Sequence, residues 1–167
     1  MLAARVGERG RVLGVDAVPL DPFEGPVELL ELDFTLADAP DTIARALREP
    51  ADVLLSDAAP KLSGIRDLDR AAGHEIYEAV WRVMERTLRP EGAMVVKGFP
   101  GPEADAFRAA LRGRFARVAE VRPEGKRATS KEHYWVARSG ADPTSRRGRR
   151  GRDRRPRRRP RTPNGTG

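Results

Sequence analysis

Short apolar runs alternate along the chain with stretches whose apolar positions recur at helical spacing. RVLGVD (11–16), VELLELD (27–33) and ADVLLSD (51–57) read as strands, and each closes on an acid. GAMVVKG (92–98) predicts a fourth buried strand, opened by the turn Arg89-Pro90-Glu91-Gly92. DTIARALRE (41–49) predicts a short amphipathic helix. Residues 67–88 predict the longest helix, because Ile76, Val80, Val83, Thr87 and Leu88 fall on one face. A third helix is predicted over 102–113. RFARVAEVRP (114–123) and HYWVARS (133–139) predict two closing strands, joined by a basic loop with no helix between them.

Strands that alternate with helices predict an α/β domain whose mostly parallel sheet is covered on both faces. The last two strands, lacking a crossover helix, predict an antiparallel pair and therefore a reversed final strand. At 167 residues the chain suits one domain with a real core.

Charge divides the chain in two. From Ser139 to Gly167 there are 11 Arg against 2 Asp, a net of +9, which leaves residues 1–138 at −2 although the whole chain carries +7. The tail TSRRGRRGRDRRPRRRPRTPNGTG is rich in Arg, Gly and Pro and cannot bury enough apolar surface to offset its ordering entropy. The expected organisation is a folded body over 1–138 and a disordered basic tail over 139–167, attracted to nucleic-acid phosphates without reading sequence. With no cysteine, disulfides and thiolate metal sites are excluded. His74 and His133 are the only histidines, so no histidine-based metal site is expected. No apolar run reaches the roughly 20 residues of a membrane span, and the first residues lack the apolar stretch of a secretory signal. The expected location is the cytoplasm.

In open α/β sheets ligands bind beyond the carboxyl ends of the strands. Asp16, Asp33, Asp57 and Lys97 close predicted strands at that edge, and Glu132 stands at the start of the reversed one. Taken singly, Asp16 and Asp33 are as well explained as turn residues. Lys97 is different: it emerges from the apolar run AMVV and precedes Gly98, and a lysine there is costly unless paired or used. Asp57 is its natural partner if their strands are neighbours.

DAVPLDP (16–22), LDF (32–34), LLSDAAPKLSG (54–64), LRPEGAMVVKGF (88–99) and RATSKEHYWVA (127–137) resemble the FtsJ ribosomal RNA 2′-O-methyltransferases. The order and spacing agree from about residue 2 to residue 138. The resemblance implies a Rossmann-like fold that binds S-adenosyl-L-methionine. It implies Asp57, Lys97 and Glu132 as three members of a Lys-Asp-Lys-Glu catalytic tetrad. It also implies cofactor contacts at Asp16 (ribose hydroxyls), Asp33 (near the adenine) and Asp57. The family domain opens with a catalytic lysine, a first strand and a GxxPGGW-type loop. Here LAARVGERGRVLGVD resembles the end of the following helix and the second strand, so those parts are expected to be missing. Weak cofactor binding is the corresponding expectation. Lys61 stands where the family has Asn.

The reaction so implied moves a methyl group to a ribose 2′-hydroxyl of large-subunit ribosomal RNA, with Lys97 as general base. Burial favours the neutral amine that a base requires, whereas nearby carboxylates favour the ammonium. Arg108, Arg112, Arg114, Arg117, Arg122, Lys126, Arg127 and Lys131 offer a surface for RNA phosphates. A noncatalytic RNA-binding remnant and a methyltransferase for another RNA are the competing readings. Tyr77, Trp81, Phe99, Tyr134 and Trp135 are expected to pack, and both histidines to be structural.

Overall fold

The computed structural model describes residues 6–7, 10–22, 25–61, 63–99, 101–123 and 133–139. The Arg-rich tail, Glu132 and the cations Lys126, Arg127 and Lys131 lie outside the described residues. The apolar runs form strands β1 (Val12–Asp16), β2 (Val27–Glu31), β3 (Ala51–Ser56), β4 (Leu88–Gly98), β5 (Arg117–Val121) and β6 (His133–Arg138). The helices are α1 (Ala39–Leu47), α2 (Arg66–Thr87) and α3 (Pro102–Arg114). Prolines stand in the first turn of α1 and of α3, where the missing N–H costs nothing.

β4 begins at Leu88, directly after α2, so the predicted turn Arg89-Pro90-Glu91-Gly92 lies inside the strand. It is absorbed as an irregularity: Ala51 pairs with Leu88, but the next pair is Val53 with Ala93. Arg89 forms an ion pair with Asp52 across this step.

The strands make two sheets among the described residues: β1-β2, and β3-β4-β6-β5. β1 and β2 are parallel, as are β3 and β4. β6 runs antiparallel to both β4 and β5, which is the expected reversal. No described strand pairs with the outer edge of β1 or of β3, so the sheet is interrupted between them. Polar ties bridge the interruption. Arg11 donates to the Leu47 carbonyl at 2.8 Å and pairs with Glu28 at 2.7 Å. Arg86 donates to Asp41 at 2.6 Å, and Arg82 to the Thr35 carbonyl at 2.9 Å.

Alternation along β4 sends Met94 and Val96 into the core and Val95 and Lys97 to the opposite face. Tyr77, Val80 and Met84 of α2, and Phe107 and Leu111 of α3, pack on the Met94 side with Trp135 and Ala137. Tyr77 is the centre of this core, stacked between Phe99 at 4.4 Å and Phe107 at 4.5 Å. Helices on both faces were expected, but α2 and α3 share one face. The other carries Val53, Leu55 and Val121, each about half exposed among the described residues.

Leu111 is fully buried. Leu111→Ala is expected to lower unfolding free energy by about 2–5 kcal/mol, read as a reduced urea midpoint.

Candidate active site

The register of β4 with its two neighbours sets one row of side chains at the carboxyl edge. Lys97 pairs directly with Tyr134 of β6, and Ser56 pairs with Val96, so Asp57, the next residue, falls beside Lys97. Tyr134 is paired in turn with Val121 of β5. Asp57, Lys97 and Tyr134 therefore stand side by side on three adjacent strand positions, on the face opposite the core.

The contacts follow. The Lys97 ammonium nitrogen lies 3.4 Å from Asp57 Oδ1. The Tyr134 hydroxyl donates to the same oxygen at 2.7 Å. The Lys97 side chain keeps only 17% of its surface exposed, against 74% for Asp57. A nearly buried amine thus meets a carboxylate open to solvent. The pairing of Asp57 with Lys97 follows the residue pattern. Tyr134 had been expected only to pack; its hydroxyl is a polar partner of the site. The available signal was the alternation of β6, which puts Tyr134 on the face opposite Trp135.

Local structure holds both ends of this row. After Asp57 the chain turns through Ser63 and Gly64, whose φ of +81° suits glycine. Asp69, in the first turn of α2, accepts hydrogen bonds from the Ser63 amide at 2.6 Å, the Ser63 hydroxyl at 2.7 Å and the Gly64 amide at 3.2 Å. The Ser63 hydroxyl, followed by the amide donors, holds the Asp69 carboxyl below its ordinary range. After Lys97, Gly98 is required because a Cβ there would overlap the His133 ring. The Phe99 amide donates to the Tyr77 hydroxyl at 3.3 Å. Burial pushes that hydroxyl up to about 12, so it stays protonated. Phe99 packs on Tyr77, consistent with a core role, and His133 is structural in packing edge-on to Trp135 at 5.2 Å. Arg70 donates to Glu103 at 2.8 Å, tying α2 to the start of α3.

Asp16 and Asp33 belong to the other sheet. Asp16 ends β1, and its Oδ1 accepts the Val18 amide at 2.9 Å. Asp33 follows β2, and its Oδ1 accepts both the amide and the hydroxyl of Thr35, at 2.9 and 2.7 Å. The Thr35 hydroxyl, then its amide, lowers the Asp33 carboxyl below its usual range. Both carboxylates thus accept hydrogen bonds within their own turns. Glu132 lies outside the described residues. No group of three or more His, Cys, Asp or Glu suited to a metal ion occurs among the described residues. No described helix is long and apolar enough to cross a membrane.

Parallel strands with crossover helices, a reversed strand inserted beside β4 and acids at the carboxyl edge define the class: a Rossmann-like methyltransferase fold. A Plasmodium falciparum protein solved as a candidate ribosomal RNA methyltransferase superposes with a TM-score of 0.69 at 20% identity, covering 83% of this chain and 77% of that one. The sequence profile of the FtsJ-like methyltransferases matches residues 1–140, and the chain belongs to that family. It is 37% identical over 139 residues to ribosomal RNA large subunit methyltransferase E of Halorhodospira halophila, covering 83% of this chain and 65% of the relative. It is 39% identical over 137 residues to the protein of that name from Methanothermobacter thermautotrophicus, covering 80% and 64%. The chain thus spans about two thirds of the length of these relatives.

Asp69 supplies a test of the loop that carries Asp57. Because its carboxyl is lowered, the contribution of Asp69 to stability is present above its ordinary value of 3.8 and is lost as pH falls through the lower folded value. Asp69→Ala is expected to be less stable than wild type at pH 7, with the difference shrinking only below pH 3.8. Urea midpoints across pH read this directly.

Proposed function

We propose that this chain carries the methyl-transfer site of an S-adenosylmethionine-dependent RNA 2′-O-methyltransferase acting on large-subunit ribosomal RNA. The observation that carries this reading is the Lys97–Asp57 pair at the carboxyl edge of a methyltransferase sheet. Family membership supports the donor, because S-adenosylmethionine serves the FtsJ-like methyltransferases. The names of the similar proteins support the RNA class.

The donor's chemistry agrees with the residues present. Its ribose hydroxyls and adenine amine are hydrogen-bond donors and its sulfonium is a cation, and Asp16, Asp33 and Asp57 offer carboxylate acceptors at or just beyond the carboxyl ends of β1, β2 and β3. Asp16 would hold the ribose and Asp33 the adenine, each already oriented by its turn. When bound, the donor supplies a methyl carbon electrophilic enough for in-line attack. Lys97 would take the proton from the ribose 2′-hydroxyl and leave its oxygen nucleophilic. Asp57 orients the Lys97 amine from 3.4 Å. Glu132, immediately before His133, is the further acid assigned to this site.

Arg108, Arg112 and Arg114 of α3, with Arg117 and Arg122 on and after β5, are the described cations near the strand pair that holds Tyr134. They serve as phosphate contacts that position the RNA, with the tail adding sequence-independent attraction.

Transfer of labelled methyl groups to ribosomal RNA, with mapping of the modified nucleotide, tests the reading. Lys97→Ala is expected to retain the fold by circular dichroism and to lose about 10²–10⁴-fold in rate. Wild-type turnover in that variant removes Lys97 from the mechanism. Replacing Arg108 and Arg112 by Ala is expected to weaken RNA binding and flatten its salt dependence by about 0.7 log units per lost phosphate contact.

A further inference from the structure

Asp57 has a geometric difficulty that the rest of the site does not share. It lies one residue beyond the end of β3, and its side chain is 74% exposed. A carboxylate so placed, on a loop and open to water, ordinarily samples several rotamers. A single contact at 3.4 Å from the end of a long side chain does not fix it.

Tyr134 differs in each respect. It sits in β6, which is hydrogen-bonded on both sides, to β4 and to β5. Its ring has two soft torsions and is flanked by Lys97 and Val121. Its hydroxyl meets Asp57 Oδ1 at 2.7 Å, well inside the Lys97 distance. The shorter bond comes from the more rigid donor.

We propose that Tyr134 is a positioning residue, whose hydroxyl fixes the Asp57 carboxylate and through it aims the Lys97 amine at the reacting oxygen. The inference rests on the general-base reading of Lys97 given above. Tyr134 touches neither reactant in this scheme. It acts on the rate by limiting where Asp57 can be, and the amine follows its carboxylate. Two hydrogen-bond donors, an ammonium and a phenol, converge on one carboxylate oxygen, so loss of either alters what the other experiences.

Two measurements test this. The first needs no turnover. Brief acetylation with acetic anhydride, followed by mass spectrometry of the peptide holding Lys97, gives the reactivity of that amine in the full chain. Wild type, Tyr134→Phe, Asp57→Ala and the double variant are compared, with melting curves to confirm folding. Tyr134→Phe keeps the ring and removes only the hydroxyl. Each single variant is expected to raise Lys97 acetylation about three- to tenfold, because the contact that holds the amine at Asp57 is weakened or lost. The double variant is expected to match Asp57→Ala alone, since Tyr134 works through Asp57. An unchanged rate in Tyr134→Phe, or an effect that persists in full on the Asp57→Ala background, overturns the proposal.

The second is steady-state methyl transfer. Tyr134→Phe is expected to lower kcat about tenfold and to leave KM for RNA within about twofold. A raised KM with unchanged kcat would overturn the positioning role and make the phenol an RNA contact. Absence of methyl transfer by wild type would refute the enzymatic reading, and the acetylation cycle would still decide whether Tyr134 governs Lys97 through Asp57.

Discussion

The register of β4 between β3 and β6 is the constraint on which the site depends. Side chains alternate faces along a strand, so a slip of one residue would send Lys97 into the core and Val96 out of it. The slip is opposed on both sides at once. Met94 and Val96 must face Tyr77 and Met84, while Trp135 and Ala137 on β6 must face the same core. Burial of these five apolar and aromatic groups around Tyr77 therefore decides that Lys97 points the other way. The amine is placed by the packing of its neighbours.

The edge of the sheet then collects chemistry for a simple geometric reason. β3 and β4 are parallel, and Ser56 at the end of β3 pairs with Val96, so Asp57 comes level with Lys97. β6 runs back between β4 and β5 and begins at that level. Three separate parts of the sequence, near positions 57, 97 and 134, arrive at one line. Each is held from behind: the loop after Asp57 by Asp69, the loop after Lys97 by Tyr77 and by the Arg70–Glu103 pair, and Tyr134 by pairing on both flanks.

The interruption between β1 and β3 has consequences for the whole domain. Both strands present an edge that no described residue pairs, and Val53 and Leu55 of β3 are about half exposed. Asp16 and Asp33 are carried on the far side of that break and are joined to the larger sheet through α1, which leans on α2 through Arg86 and Asp41. Their position relative to Lys97 thus depends on the packing of α1, which buries Ala39, Pro40 and Ile43, and of Phe34, beside Asp33, against the core. The Asp57–Lys97–Tyr134 row depends instead on strand pairing and on burial of the β4 and β6 side chains that face the core.

Much of this was legible in the sequence. Apolar runs and helical spacing located the strands and helices of the described residues to within a few positions, because each pattern is a local consequence of facing one core. The lysine leaving AMVV was legible as a functional candidate because a charge at the end of a buried run needs a reason, and Asp57 followed as its partner. Three things were decided only by tertiary structure. The Arg89–Gly92 segment became part of β4, because pairing with β3 continued past a local turn signal. The two helices that flank β4 in sequence came to lie on one face, which composition does not encode. Tyr134 became a polar partner of Asp57, since the two are 77 positions apart and only the β3-β4-β6 order brings them together. Periodicity reports which way a side chain faces; which other side chain it meets depends on strand order, and that is settled by the packing of the entire core.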